Sequence, residues 1–306
     1  MKWNIYSKLW MIFFVLMGTA CTNQVEDAIP VSGQPIEFSV QSDWKKIPNT
    51  RLNDGREHFK ENDEIQIFGF HKSSSGGLEK FMYRVGYPDR GQIVTFDGTN
   101  WNYSPKRFWP KEGTLDFYAG YPEYSVLNDE ENPNKMKYKQ KDANPLQLDL
   151  LWGESRNHNC TTTDRSTKVE ITMKHALAKV IIRFDDSLGE ITHAKVSAYN
   201  AGYFDKTDTT DGIPNWKVED TSDIVTATLS PYENQPTIGD ATVFILPKRI
   251  TGLKLIRLDG TEIDVSEKIQ NLEFEAGKLY DLTISKGGQN NANSRSIAMS
   301  VRCVSE

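Results

Sequence analysis

Short segments in which apolar and polar residues alternate recur along this chain of 306 residues. Ile36, Phe38 and Val40 alternate with polar neighbours, and the same period of two returns at residues 115–119. Because successive side chains of a strand point to opposite faces, this period predicts half-buried β-strands. Turn-forming clusters such as Asp97-Gly98-Thr99-Asn100 separate the segments and predict hairpins. We therefore expect an all-β protein built from antiparallel β-sandwiches.

The alternating segments fall into two groups, which is consistent with two domains for a chain of this length. Residues 154–167 lack apolar periodicity and predict an interdomain linker, and the polar stretch 128–144 predicts a surface loop. The expected division is a signal peptide at 1–20, a tether at 21–35, an N-terminal β-sandwich at 36–153, the linker at 154–167, a C-terminal β-sandwich at 168–286, and a flexible linker with a terminal strand at 287–306.

The N-terminus has the pattern of an export signal. Two lysines precede an apolar run at residues 9–17, which is shorter than the roughly 20 residues that span a bilayer. Gly18-Thr19-Ala20 then leads to Cys21, an order that resembles a bacterial lipobox although Gly18 replaces the usual aliphatic residue. We expect Cys21 to become the lipid-modified mature N-terminus. The alternative is ordinary signal cleavage after Ala20, which would leave a thiol.

Charge and motif content argue against several functions. The chain has 36 basic and 42 acidic side chains, a formal net charge of −6, which disfavours nucleic acid as a partner. The five histidines form no metal-binding pair and no nucleotide or nucleophile motif occurs, so we expect no enzyme, no metal and no cofactor. Export permits a disulfide between Cys160 and Cys303, but two cysteines do not settle whether they pair.

An aromatic group at residues 101–109 has two interpretations. Trp101, Tyr103, Phe108 and Trp109 could form a platform on which sugars stack, or they could pack within the core. The packing interpretation is favoured, because large aromatic side chains bury well in a β-sandwich.

The order of four segments resembles the fimbrillin family of Bacteroides-type lipoproteins, which includes FimA-like and Mfa-like pilus subunits. The most distinctive segment, HALAKV at 175–180, is similar to a family motif, and Asn62 departs from the family by replacing a usual glycine. The four segments are FKENDEIQIFGF at 59–70, the aromatic-rich stretch 101–122, MKHALAKV at 173–180 and FEAGKLY at 274–280.

The resemblance implies two transthyretin-like β-sandwiches in tandem and a role as a structural or adhesive subunit of fimbriae. It also implies a place at the outer membrane or cell surface, with a lipid-anchored membrane contact, other fimbrial subunits and a host or bacterial surface ligand as partners. Some relatives are cut after an arginine, which removes the lipid and the first strand, here Ile36, Phe38 and Val40. Arg51 stands in the matching place, with Arg56 as the alternative. A surface glycan-binding lipoprotein is the alternative function.

The last residues form one more alternating segment, with four apolar residues at Ile297, Met299, Val301 and Cys303. Three interpretations stay open. The segment could be a donor strand for a neighbouring subunit, since any strand of period two can add to an open sheet edge. It could complete the edge of its own domain, or it could be a disordered remnant of a lost domain.

Overall fold

The computed structural model describes residues 31–43, 58–140, 145–163, 166–219, 223–231, 237–287 and 297–304. Regular structure in these ranges is mostly β, as predicted, with a 3₁₀ turn at Asp186–Leu188 and one short helix, α1, at Ser266–Ile269. The described part of the chain contains no helix with the length and apolar character needed to cross a membrane. The strands are β1 Val31–Pro35, β2 Phe38–Ser42, β3 Glu64–Lys72, β4 Leu78–Met82, β5 Gln92–Phe96, β6 Trp101–Asn102, β7 Phe108–Pro110, β8 Thr114–Tyr121, β9 Val126–Asn128, β10 Lys135–Lys139, β11 Leu151–Asn159, β12 Val169–His175, β13 Ala178–Phe184, β14 Ile191–Tyr199, β15 Ala201–Asp205, β16 Thr209–Thr210, β17 Ile213–Pro214, β18 Ile224–Leu229, β19 Asp240–Ile245, β20 Ile250–Arg257, β21 Glu262–Asp264, β22 Leu279–Lys286 and β23 Ile297–Val304.

The first half is organised by one large sheet with the order β2-β12-β11-β8-β3-β5-β6, to which β4 adds beside β3. The sheet curls until its two edges approach, and the Trp101 Nε1 on β6 donates to the Val40 carbonyl on β2 at 3.2 Å. Its inner side chains and those of adjacent segments form the N-terminal core, which includes Ile36, Phe38, Val40, Ile65, Ile67, Phe81, Val94, Trp101, Tyr103, Trp109, Phe117 and Ile171.

The second half is a sandwich of two four-stranded sheets, ordered β19-β13-β22-β23 and β18-β14-β20-β21. Alternate residues from both sheets form the C-terminal core, as the period of two requires. The Asp259-Gly260 turn joins β20 to β21 as a hairpin, and Gly260 there has a φ of 82°. The core residues include Val180, Ile182, Val196, Ala198, Val243, Ile245, Leu253, Leu255, Leu282 and Ile284.

A third core, the interdomain core, is shared by the two halves. The outer face of the large sheet supplies Phe68, Tyr118 and Trp152, and the second half supplies Phe204 and Phe244. Trp152 lies between Tyr118, at a ring-centroid distance of 5.9 Å, and Phe204, at 4.9 Å. Burial of such rings stabilises by about 1.5–3 kcal/mol each, so the two halves are packed together and not merely tethered.

The sheet that spans the halves contradicts one prediction. Residues 135–139 of the expected surface loop form β10, which pairs with β9 of the first half and β15 of the second. Met136 and Tyr138 are buried in the interdomain core, while Lys135, Lys137 and Lys139 point away from it. Because three lysines alternate with only two apolar residues, the segment is mostly polar, and the sequence therefore suggested a loop instead of a strand.

The predicted linker at 154–167 and the predicted start of the second domain at 168 are also wrong. Strand β11 occupies much of that stretch and pairs with both β8 and β12, so one sheet continues across it. The chain passes from β12 of the large sheet to β13 of the second half between His175 and Ala178. The polar end of β11 is exposed beyond the core, so apolar periodicity stops before the strand does. Similarly, β1 lies within the predicted tether at 21–35 and pairs with β7.

The HALAKV segment forms this crossing. His175 Nδ1 contacts Asp149 Oδ2, and Ala176 and Leu177 are buried in the interdomain core. Lys179 is the second residue of β13 and has its ammonium 5.5 Å from the Phe244 ring centroid, and burial lowers the pKa of Lys179 to about 8. The HALAKV motif therefore has a structural role, because it connects the two halves and packs where they meet.

Candidate functional site: the groove of the first strand

The predicted first strand, residues 36–40, overlaps β2 and lies in an apolar groove at the edge of the large sheet. It is called the first strand below. Strand β2 pairs in parallel with β12, with Phe38 opposite Val169 and Val40 opposite Ile171. The three apolar residues predicted for this strand, Ile36, Phe38 and Val40, are all buried in the N-terminal core. The strand therefore plugs the core on the side that would otherwise be an open edge.

Aromatic rings form the walls of the groove. The Phe38 ring centroid is 5.3 Å from that of Phe117, edge to face, and 5.9 Å from that of Tyr103. The Tyr103 hydroxyl donates to the Ile36 carbonyl at 2.8 Å, and burial raises the pKa of Tyr103 to about 12. The hydroxyl therefore keeps its proton, and its hydrogen bond, throughout the physiological pH range.

Main-chain hydrogen bonds hold the segment on both sides. On one side the Ile36 amide donates to the Arg107 carbonyl at 2.8 Å. On the other, the Val169 amide donates to the Glu37 carbonyl at 2.7 Å and the Asp43 amide to the Met173 carbonyl at 2.8 Å. Backbone bonds of this kind do not depend on side-chain identity, so another strand of the same period could take the place of β2.

The aromatic group predicted near this site is mostly core. Trp101, Tyr103 and Trp109 are buried, and only Phe108 is exposed, at 38%. The packing interpretation is confirmed for the three buried rings. Trp101 and Tyr103 also hydrogen-bond to the first strand, a role that no local sequence pattern indicates because more than 60 residues separate the partners.

Other predicted site residues lie outside the described residues. Cys21, Arg51 and the alternative Arg56 all belong to stretches that the structure does not describe. The lipidation and cleavage hypotheses therefore stay predictions.

The terminal segment is placed on its own domain. Strand β23 pairs antiparallel with β22 at the edge of its sheet, with Val301 opposite Leu282 and Cys303 opposite Tyr280. Met299 packs partly against the C-terminal core, whereas Val301 is 43% exposed. This is the arrangement of the own-domain interpretation, with the Val301 side chain left exposed.

Within the described ranges, no three side chains of His, Cys, Asp or Glu converge in a way that could hold a metal ion. Cys160 is buried in the N-terminal core, with its Sγ 3.8 Å from the His158 carbonyl oxygen, while Cys303 belongs to the last strand of the other half.

Comparison with known proteins gives one family and several related folds. The model of a family described as fimbrillin-like matches residues 50–299. No curated protein matches the sequence. A candidate cell adhesion protein from Bacteroides uniformis is similar at 16% identity and a TM-score of 0.55, covering 88% of this chain and 97% of that one. A second, from Bacteroides ovatus, is similar at 15% identity and a TM-score of 0.54, covering 89% and 96%. At these identities the two structures show a shared fold.

Proposed function

The chain belongs to the fimbrillin-like family, and on this premise we propose that it is a cell-surface fimbrial subunit, structural or adhesive, exported as a lipoprotein. The family match over residues 50–299 carries the proposal, because it spans both halves and the interdomain core. The fold shared with two candidate cell adhesion proteins supports it. In finer terms, we propose that the two halves are tandem transthyretin-like domains.

Anchoring is proposed to occur at Cys21. The apolar run at residues 9–17 and the small residues before Cys21 suit signal cleavage followed by acylation. Several acyl chains on one cysteine give stable attachment, since each buried CH₂ contributes about 0.8 kcal/mol. The outer membrane is then the site of attachment, and other fimbrial subunits are the partners.

Assembly is proposed to use the groove of the first strand. Cleavage after Arg51 would release β2 together with the anchor, and the family match begins at residue 50, beside that arginine. The emptied groove would expose apolar walls and the unpaired edge of β12, which is a template for an incoming strand. The segment 297–304 is the proposed donor, because it has the right period and its Val301 side chain is exposed.

Replacement of the proposed anchor tests the export and surface role. In cells that express Cys21→Ala, we expect the protein to leave the membrane fraction or to accumulate as uncleaved precursor, because no thiol remains to acylate. The measurement is fractionation with mass determination, combined with immunogold electron microscopy of the cell surface. Cys160→Ala is the matched control and should keep both the lipid and the surface label. Wild-type protein that labels no fimbriae, or Cys21→Ala protein that partitions to membranes unchanged, contradicts the proposal.

A further inference from the structure

Two arginines and two tyrosines form a compact group at the surface of the first half, the Arg–Tyr cluster of Arg84, Tyr87, Arg90 and Tyr124. The Arg84 guanidinium carbon lies 4.8 Å from the Tyr87 ring centroid and 5.1 Å from that of Tyr124. The Arg90 guanidinium carbon lies 5.0 Å from both. Each guanidinium thus contacts both rings, an arrangement that holds two positive charges close together.

The loop that presents the cluster is preorganised. Residues 84–90 form two successive turns, with the Tyr87 amide donating to the Arg84 carbonyl and the Arg90 amide to the Tyr87 carbonyl, both at 3.0 Å. The Arg84 amide closes the loop onto the Arg90 carbonyl at 2.9 Å, and Gly86 supplies the left-handed φ of 81° that the first turn requires. A ligand would therefore meet a surface that costs little entropy to order.

The guanidiniums of the cluster form no close ion pair with the residues that the structure describes. Among the residues that the structure describes, no carboxylate lies within 4.0 Å of either guanidinium. Arg84 donates to the Tyr124 hydroxyl, and Arg90 Nε is shielded from solvent without a hydrogen-bond partner there. Guanidinium groups have only donors, so the group that would complete the cluster is an anionic acceptor.

We infer that the Arg–Tyr cluster binds an acidic polysaccharide, whose carboxylate or sulfate groups pair with Arg84 and Arg90. Tyr87 and Val85, which are 47% and 58% exposed, provide apolar contact for the sugar rings beside those groups. Acidic polysaccharide is thus the ligand class proposed for the adhesive role. The binding itself can occur without that role, which supplies only its biological setting.

Charge distribution favours a polysaccharide over an acidic protein. The chain as a whole carries a net charge of −6, so an acidic protein that covered a wide interface would meet a surface of the same overall sign. A polysaccharide chain is narrow and can contact the loop alone. Its carboxylate or sulfate groups can accept hydrogen bonds from both guanidiniums of the loop.

The test is a binding titration of the purified full chain with defined polymers. Hyaluronan offers carboxylates, chondroitin sulfate adds sulfates, dextran is neutral, and poly-glutamate offers carboxylates without sugar. We expect binding to hyaluronan or chondroitin sulfate, whichever anion the cluster prefers, and none to dextran. The double variant R84Q/R90Q should bind at least tenfold more weakly, whereas K111Q/K268Q, which removes two exposed charges elsewhere, should stay within twofold.

Further variants separate the outcomes. R84K/R90K keeps the charge but loses the planar donor fork, and we expect it to recover less than half of the lost binding energy. Equal binding of poly-glutamate, equal loss in K111Q/K268Q, or no binding to either acidic polysaccharide overturns the inference. R84Q/R90Q leaves Cys21 and the first strand intact. If this variant labels fimbriae normally, a failure to bind acidic polysaccharide overturns only the ligand assignment and leaves the proposed function standing.

Discussion

Phe38→Ala should lower the free energy of unfolding of the intact protein by about 3–5 kcal/mol, the range for removal of a fully buried aromatic ring. Phe38 is 1% exposed and packs against Phe117 and Tyr103, so its loss leaves a cavity in the groove. Urea unfolding followed by tryptophan fluorescence measures the change.

Glu37→Ala is the matched control in the same segment. Its side chain is exposed, so we expect a change within about 0.5 kcal/mol. If Phe38→Ala and Glu37→Ala are equally stable, then the first strand does not plug the core. Once trypsin has removed the strand, Phe38→Ala and wild-type protein should have the same free energy of unfolding.

Trp152→Ala should cost a similar amount, about 3–5 kcal/mol, for a different reason. Trp152 is buried in the interdomain core, where it contacts Tyr118 of its own sheet and Phe204 of the second half. The double variant with Phe204→Ala should be more stable than the sum of the single effects by about 0.5–1.5 kcal/mol, since the ring contact is lost only once.

Leu148→Ala serves as the control, because Leu148 is an exposed residue of the same region and should change stability little. Thermal unfolding by calorimetry gives the comparison. Strictly additive effects of Trp152→Ala and Phe204→Ala would show that the halves are not coupled through this contact.

The sequence predicted the fold best where apolar alternation was complete. Leu115 and Phe117 on β8, and the hairpin from β5 to β6, lie where the pattern placed them. The prediction failed for β10, where lysines occupy the face that points away from the core. It also failed for β11, which extends beyond the core with a polar, exposed end. Which half a strand joins depends on long-range pairing, so the assignment of β12 to the first sheet had no local signal.

The candidate sites, like the strands, could be predicted only where the local sequence carries the signal. The burial of Ile36, Phe38 and Val40 followed from their period of two. The hydrogen bonds that Trp101 and Tyr103 donate to this segment did not follow from it. The Arg–Tyr cluster was also out of reach of sequence reasoning, because Tyr124 is far along the chain from Arg84 and Arg90. Such a group arises only when two loops meet in the folded chain.

Oligomer formation after trypsin treatment tests strand exchange, the central claim, most directly. The purified protein is cleaved, the released N-terminal peptide is identified by mass spectrometry, and the product is followed by size-exclusion chromatography and electron microscopy over a range of concentrations. The account predicts cleavage after Arg51 and oligomers that grow with concentration. It also predicts that deletion of residues 297–306 abolishes these oligomers while the uncleaved monomer stays folded. Cleaved protein that remains monomeric at every concentration, or oligomers that persist in the deletion variant, would contradict it.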